Sequence, residues 1–70
     1  MADNRVYKLV ELVGTSGESF AKAVAQGVER ASKSLRNLDW FEVTEMRGRI
    51  EKGRVAQYQV KIKVGCRLEE

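Results

Sequence analysis

The residues most able to bind a ligand lie in the second half of the chain, around its single tryptophan. Trp40 is followed by Phe41, Glu42 and Val43 in a segment typical of a β-strand. Because neighbouring strand residues point to opposite faces, an inward Phe41 and Val43 would place the indole on the other face. A flat, electron-rich ring outside the core can stack on a planar, electron-poor ligand. This pattern predicts a stacking site, with a ligand-free interface role for Trp40 as the alternative.

Three polar residues further along are expected on the same outward face as Trp40. They are Arg47, Gln59 and Arg67. An interface hydrogen bond for Gln59 and solvated surface positions for the arginines are the ordinary explanations of such residues.

Few residues could carry out catalysis or hold a metal. The chain has no histidine and one cysteine, Cys66, so it lacks the commonest acid–base residue and any Cys/His metal cluster. We therefore expect no catalytic residue, no metal site and no enzyme activity. Cys66 lies in an apolar alternating pattern and is expected to be a core residue. A single free thiol fits a reducing, cytoplasmic setting.

The size of the chain predicts one small domain, residues 1–70, that needs a partner. A domain this short buries only about 60% of its unfolded surface. Since neither a disulfide nor a metal is expected, self-association is the remaining way to stabilise it. The net charge of +3 favours anionic partners. No apolar run approaches the roughly 20 residues that span a bilayer, so we expect no membrane partner.

The first half predicts a strand and a helix. Residues 5–13 favour a strand closed by Gly14, although the pattern leaves its buried face undecided. Residues 17–37 favour a helix with an apolar stripe at helical period. Its stripe comprises Phe20, Val24, Val28, Ala31, Leu35 and Leu38.

Several residues predict where this helix begins, ends and packs. Thr15 with Glu18 fits a capping box, Ser16 is an equally good N-cap, and Asn37 fits a C-cap. Close packing of a sheet is expected on small residues; these are Ala21, Ala25, Ala31 and, in the helix interior, Gly27.

The second half predicts a β-hairpin of residues 39–50 and 55–68. Phe41 and Val43 differ in phase from Met46 and Ile50, which a bulge near residues 44–45 would reconcile. The third strand alternates almost without exception and suits a central position. The resulting α+β fold is β-α-β-β, with a three-stranded antiparallel sheet in the order 1-3-2 wrapped around one helix.

Several of these stretches together resemble the dodecin family over nearly the whole chain. They are Val-Tyr-Lys (6–8), Glu-Leu-Val-Gly-Thr-Ser (11–16), Leu-Arg-Asn-Leu-Asp-Trp-Phe-Glu-Val (35–43), Arg-Gly-x-Ile (47–50), Tyr-Gln-Val (58–60) and Lys-Val-Gly-x-Arg-Leu-Glu (63–69). Dodecins are small flavin-binding proteins whose β-α-β-β subunits assemble into hollow homododecamers. The resemblance implies storage and photoprotection of flavin rather than catalysis.

The resemblance also implies roles for individual residues. Trp40 would stack on the isoalloxazine ring, Gln59 would bind its polar edge, and Arg47 and Arg67 would hold FMN. It leaves open whether FMN, riboflavin or FAD is the natural ligand. The resemblance also gives coenzyme A as a further ligand, with Arg30 and Arg36 as contacts. The sequence departs from the family pattern at Cys66, where dodecins usually have Phe. The rival interpretation is a basic nucleic-acid-binding module that uses the strand face around Trp40.

Overall fold

The computed structural model describes residues 4–69 and has the element order β1 (Tyr7–Ser16), α1 (Phe20–Ala31), β2 (Leu38–Glu51) and β3 (Arg54–Arg67). The strands form one sheet in the order β1-β3-β2, and both neighbouring pairs are antiparallel. The predicted fold class and strand order are confirmed. In the part of the chain described, no helix is long and apolar enough to cross a membrane.

The sheet has an inner face, on which α1 packs, and an outer face on the opposite side. Alternate residues of β3 form the centre of the core: Val60, Ile62, Val64 and Cys66 are buried, together with Ala23 from the helix. The predicted burial of Cys66 is therefore correct. Surrounding this centre are the partly buried side chains of Val10, Leu12, Phe20, Val24, Val28, Leu35 and Leu38.

The face of β1 that the sequence left undecided is settled by its register with β3. Val10 pairs with Val64 and Leu12 with Ile62, so both face the helix. The alternate positions Leu9 and Val13 lie on the outer face, where they are 52% and 45% exposed. β1 is thus apolar on both faces, and only the inner face is covered within the subunit.

Glycine allows α1 to approach β1 closely. A Cβ on Gly27 would lie 3.3 Å from the Cα of Gly14, and a Cβ on Gly14 would lie 2.0 Å from the carbonyl oxygen of Ala23. The close approach expected at Gly27 is confirmed. Of the alanines expected at this contact, Ala31 is buried, but Ala21 and Ala25 are exposed; Ala23 takes their place.

The helix is shorter at both ends than predicted. β1 continues to Ser16, so Thr15 pairs with Gln59 in the sheet and does not cap the helix. The N-cap is Ser19, whose Oγ accepts the backbone N–H of Lys22 at 3.0 Å. Ser16 instead caps the preceding turn by accepting the N–H of Glu18 at 2.9 Å.

The C-terminal end of the helix also differs from the prediction. α1 ends at Ala31 with Ser32 as C-cap, so the expected C-cap role of Asn37 is wrong. Asn37 has φ = 61°, a left-handed conformation that asparagine tolerates, and its carbonyl accepts the N–H of Arg67 at 2.9 Å. It therefore directs the chain into β2 and joins that turn to the end of β3.

Two features predicted for the hairpin are present. Val43 pairs with Ile62 and Glu45 with Lys61, which leaves Thr44 unpaired as the expected bulge. The turn consists of Lys52 and Gly53, both with positive φ, as in the two-residue turns that match strand twist. The sequence did not predict the further register shifts at residues 38–40 and 49–50.

We predict that Gly14→Ala destabilises the protein, because the added methyl group would meet backbone atoms of α1 that cannot move independently. Overpacking of this kind costs about 1–3 kcal/mol. Gly17→Ala is the matched control, since nothing lies within 4 Å of a Cβ at that position. Urea unfolding at fixed protein concentration measures the difference, and equal midpoints for the two variants would contradict the packing described here.

Candidate functional site

Trp40 lies on the outer face, opposite its neighbour Phe41, and a bulge that the sequence did not predict precedes it. Leu38 pairs with Cys66 and Trp40 with Gly65, so Asp39 is an extra residue between them. In a regular strand Leu38 and Trp40, two residues apart, would share one face. The bulge breaks this repeat, so Leu38 packs in the core while Trp40 points away from the helix.

The indole rests on the sheet and keeps one side accessible. Ring carbons of Trp40 lie where a Cβ on Gly65 would be, 2.5–2.6 Å from that point. Tyr7 contacts the indole edge-on, with ring centroids 4.6 Å apart and planes at 63°. Trp40 remains 42% exposed. One π face is therefore covered by the β3 backbone, and a planar ligand has access to the other.

The bulged residue contributes to this arrangement. The hydroxyl of Tyr7 donates a hydrogen bond to Oδ2 of Asp39 at 3.0 Å, which links β1 to the start of β2 beside the indole. Neither Tyr7, Asp39 nor Gly65 was predicted as part of the site. An isolated glycine within the regular alternation of β3 was the available signal, because it often marks a close approach.

The predicted polar residues Arg47 and Gln59 are brought together at the other end of the sheet. They pair across β2 and β3, and Nε of Arg47 donates to Oε1 of Gln59 at 2.9 Å. The amide nitrogen of Gln59 donates to Oε1 of Gln57 at 2.8 Å. These bonds orient the Gln59 amide, and Gln57 is a member of the cluster that the sequence analysis did not identify.

Within one subunit the two groups of predicted site residues are far apart. Trp40 pairs with Gly65 and Arg47 with Gln59, which lies six residues earlier on β3. At about 3.4 Å per strand residue this separates them by roughly 20 Å. Arg67 is two residues beyond Gly65, so it belongs to the tryptophan end. We call these groups the aromatic end (Tyr7, Asp39, Trp40, Gly65 and Arg67) and the amide end (Arg47, Gln57 and Gln59).

The outer face between the two ends carries both charges. Lys61 lies 3.9 Å from Glu11 and 4.0 Å from Glu45, and Lys63 pairs in register with Glu11 and Glu42. Such partly exposed ion pairs contribute little to stability. Their importance is that both lysines have carboxylates beside them, so the strand face is not uniformly basic.

The basic residues of the helix lie on a different surface. Arg30 lines a shallow groove along the exposed side of α1 together with Lys22 and Lys33. Arg36, beyond the helix, is 3.4 Å from the carboxylate of Glu69. Among residues 4–69, no group of three or more His, Cys, Asp or Glu is arranged to hold a metal ion.

Part of the inner face is apolar but uncovered. α1 packs on β1 and β3, and the side chains of β2 that extend beyond it stay exposed. Phe41 is 48% exposed, Val43 44% and Met46 57%. We call these three residues the apolar strip. An apolar row of this kind on a strand at the sheet edge is typical of a surface that another protein chain covers.

Comparison with known proteins gives consistent matches across the chain. A family model described as Dodecin matches residues 6–69. The curated dodecin of Thermus thermophilus is 56% identical over 66 residues, which cover 94% of this chain and 96% of that protein.

Solved structures agree with this result. The dodecin of Streptomyces coelicolor superimposes with a TM-score of 0.93 at 54% identity and covers 99% of both chains. The calcium dodecin of Mycobacterium tuberculosis, whose structure is described as having a novel calcium-binding site, is more distant. It has a TM-score of 0.79 and 29% identity, and it covers 91% of both chains.

Proposed function

The chain belongs to the dodecin family, and we propose that it binds a flavin and sequesters it inside a hollow homododecamer. The ring of the flavin would stack on Trp40, and the function would be storage and photoprotection without catalysis. The observation that carries this proposal is the position of the indole. It is laid flat on the outer face with one π face open, in a chain where the apolar core lies on the other side of the sheet.

The chemistry of the two ends supports a flavin as the ligand. An indole is electron-rich and an isoalloxazine is electron-poor, so offset stacking suits both rings. The Gln59 amide has donors and an acceptor that can match the alternating N–H and carbonyl groups of the pyrimidine edge. Arg47 and Arg67 can bind the phosphate of FMN through paired N–H donors. Riboflavin and FAD share the ring and differ in this last contact.

The proposed site requires more than one subunit. The aromatic end and the amide end are roughly 20 Å apart within a subunit. A flavin ring stacked on Trp40 would therefore not reach the Gln59 side chain of the same subunit. A flavin on Trp40 would therefore meet Gln59 and Arg47 of another copy. Association of this kind is also expected from the apolar strip, which a second chain would cover.

Three other ligands have weaker support than a flavin: coenzyme A, calcium and nucleic acid. Coenzyme A stays a prediction: Arg30, which lines the groove on α1, is the better placed of the two expected contacts, whereas Arg36 already faces Glu69. We do not extend calcium binding from the M. tuberculosis relative to this chain, because the described residues contain no suitable cluster of carboxylates. The glutamates beside Lys61 and Lys63 weigh against the nucleic-acid alternative.

The direct test is a titration of FMN with the purified protein, followed by flavin fluorescence. A stacked indole donates an electron to the excited flavin, so emission should fall steeply on binding. Since stacking of a base on an aromatic ring is worth about 1–3 kcal/mol, Trp40→Ala should weaken binding by roughly 5- to 150-fold. Lys33→Ala, at an exposed position in the turn after the helix, is the control. Unchanged emission at excess wild-type protein would rule out the flavin proposal.

A second prediction concerns assembly. The wild type should sediment with the mass of about twelve subunits of 7.9 kDa each. Val43→Asp places a charge in the apolar strip, where burial against another chain would be costly, and should reduce the sedimenting mass. Ala25→Asp introduces the same charge on the exposed side of α1 and should leave the mass unchanged. A wild type that sediments as one subunit would contradict the cage.

A third prediction tests whether the site is shared between subunits. Trp40→Ala and Gln59→Ala should each bind FMN poorly alone. When the two variants are unfolded together and reassembled as a mixture, some sites would combine Trp40 of one copy with Gln59 of the other. FMN quenching should then partly return. A mixture no better than the average of its two components would mean that both residues act from the same subunit.

A further inference from the structure

Gly65 is the residue of β3 directly beneath the indole. The three heavy atoms nearest to a Cβ built on Gly65 are Cε2, Cζ2 and Cη2 of Trp40, at 2.5, 2.5 and 2.6 Å. Because these distances are below 3.0 Å, the Cβ of an alanine at position 65 could not coexist with the Trp40 ring in its present position. At Gly14, by contrast, the nearest atoms belong to the helix backbone. The nearest obstacle at Gly65 is thus a side chain, that of Trp40.

The backbone gives no separate reason for a glycine at this position. Gly53, in the hairpin turn, is the glycine of residues 4–69 that has a positive φ, whereas Gly65 lies within a continuous strand. It is paired on both sides, with Leu9 of β1 and Trp40 of β2. Glycine in a strand interior weakens the strand, because it loses more conformational freedom on folding and offers no side chain to pack. The need to leave room for the Trp40 ring would offset this disadvantage.

We infer that Gly65 is a positioning residue for the stacking site, an assignment that rests on the function proposed above. The missing side chain lets the Trp40 indole lie flat on the β3 backbone, while Tyr7 packs against the indole in a T-shaped contact and is itself held by Asp39. The ring is therefore oriented before a ligand arrives. Pre-organisation of this kind improves affinity because less freedom is lost on binding.

The same contact determines how many flat ligands one indole can take. The π face towards β3 is covered by peptide groups, so stacking is limited to the face that points away from Gly65. A methyl group at this position would lift or tilt the ring, because β3 is held by neighbouring strands on both sides and the side chain is the part free to move. Both the orientation and the one-sided access would then be lost.

The first test requires no flavin. Gly65→Ala should make the Trp40 emission more accessible to acrylamide and should change the near-ultraviolet circular dichroism that arises from the Tyr7–Trp40 contact. Gly17→Ala, where nothing lies within 4 Å of the added Cβ, should match the wild type. Unchanged acrylamide quenching and circular dichroism in Gly65→Ala would overturn the inference, whether or not the wild type binds FMN.

A double-mutant cycle separates positioning of the indole from a general structural need for glycine. Gly65→Ala should lower the urea midpoint in the wild type but not in the Trp40→Ala background, where the clashing ring is gone. If Gly65→Ala alone fails to fold, the double variant should still fold. A loss of the same size in both backgrounds, or a double variant that fails to fold when Trp40→Ala does fold, would assign the glycine to the backbone and refute the inference.

The final test connects Gly65 to the proposed ligand. If FMN emission is quenched by the wild type, Gly65→Ala should weaken binding by about fivefold or more, close to the effect of Trp40→Ala, while keeping the wild-type sedimenting mass. Wild-type affinity in Gly65→Ala would overturn the positioning role and leave the flavin proposal standing. Failure of the wild type to bind FMN would remove the proposed function, and the acrylamide and unfolding measurements would still decide the role of Gly65 in orienting the indole.

Discussion

The contact between the Trp40 ring and the backbone at Gly65 is the interaction on which the proposed site depends. Trp40 reaches Gly65 because it alternates with Phe41, which pairs with Val64 on the inner face, and the extra, bulged residue Asp39 allows Leu38 to remain in the core as well. The same bulge brings the Asp39 carboxylate within hydrogen-bonding distance of Tyr7. A local irregularity of one strand therefore keeps Leu38 in the core and provides a hydrogen bond to Tyr7 beside the indole, which is a common use of bulges beside functional residues.

A second constraint comes from the size of the single helix. α1 covers β1 and β3 through glycine and alanine contacts, and the apolar strip on β2 remains exposed. A small domain gains stability when another copy covers such a surface. The proposed assembly would meet this need and would also bring the aromatic end of one subunit towards the amide end of another. Folding stability and ligand binding would then depend on the same association.

Much of the fold could be predicted from the sequence because its determinants are local. The alternation in β3 indicated the buried set Val60, Ile62, Val64 and Cys66, and the change of phase between Val43 and Met46 indicated the bulge at Thr44. The ends of α1 were predicted less well. Thr15 and Ser16 have the chemistry of N-caps, but pairing with β3 keeps both in the sheet, and a tertiary contact of this kind has no local signal.

The candidate site was predicted in its residue types but not in its arrangement. Trp40, Arg47, Gln59 and Arg67 do lie on the outer face, yet their division into two ends follows from the register between β2 and β3. Gly65 escaped attention because a glycine carries no chemistry of its own, and its role depends on a ring that reaches it from the neighbouring strand. Gln57 belongs to the amide end because it accepts a hydrogen bond from Gln59, a contact that the sequence pattern does not indicate.

The most direct measurement of the central claim is a crystal structure of the protein grown with FMN. We expect the isoalloxazine ring to lie parallel to the Trp40 indole on the side away from Gly65, with its pyrimidine edge on a Gln59 side chain from a different subunit. A flavin ring bound away from Trp40, or one held by Trp40 and Gln59 of the same chain, would contradict this account.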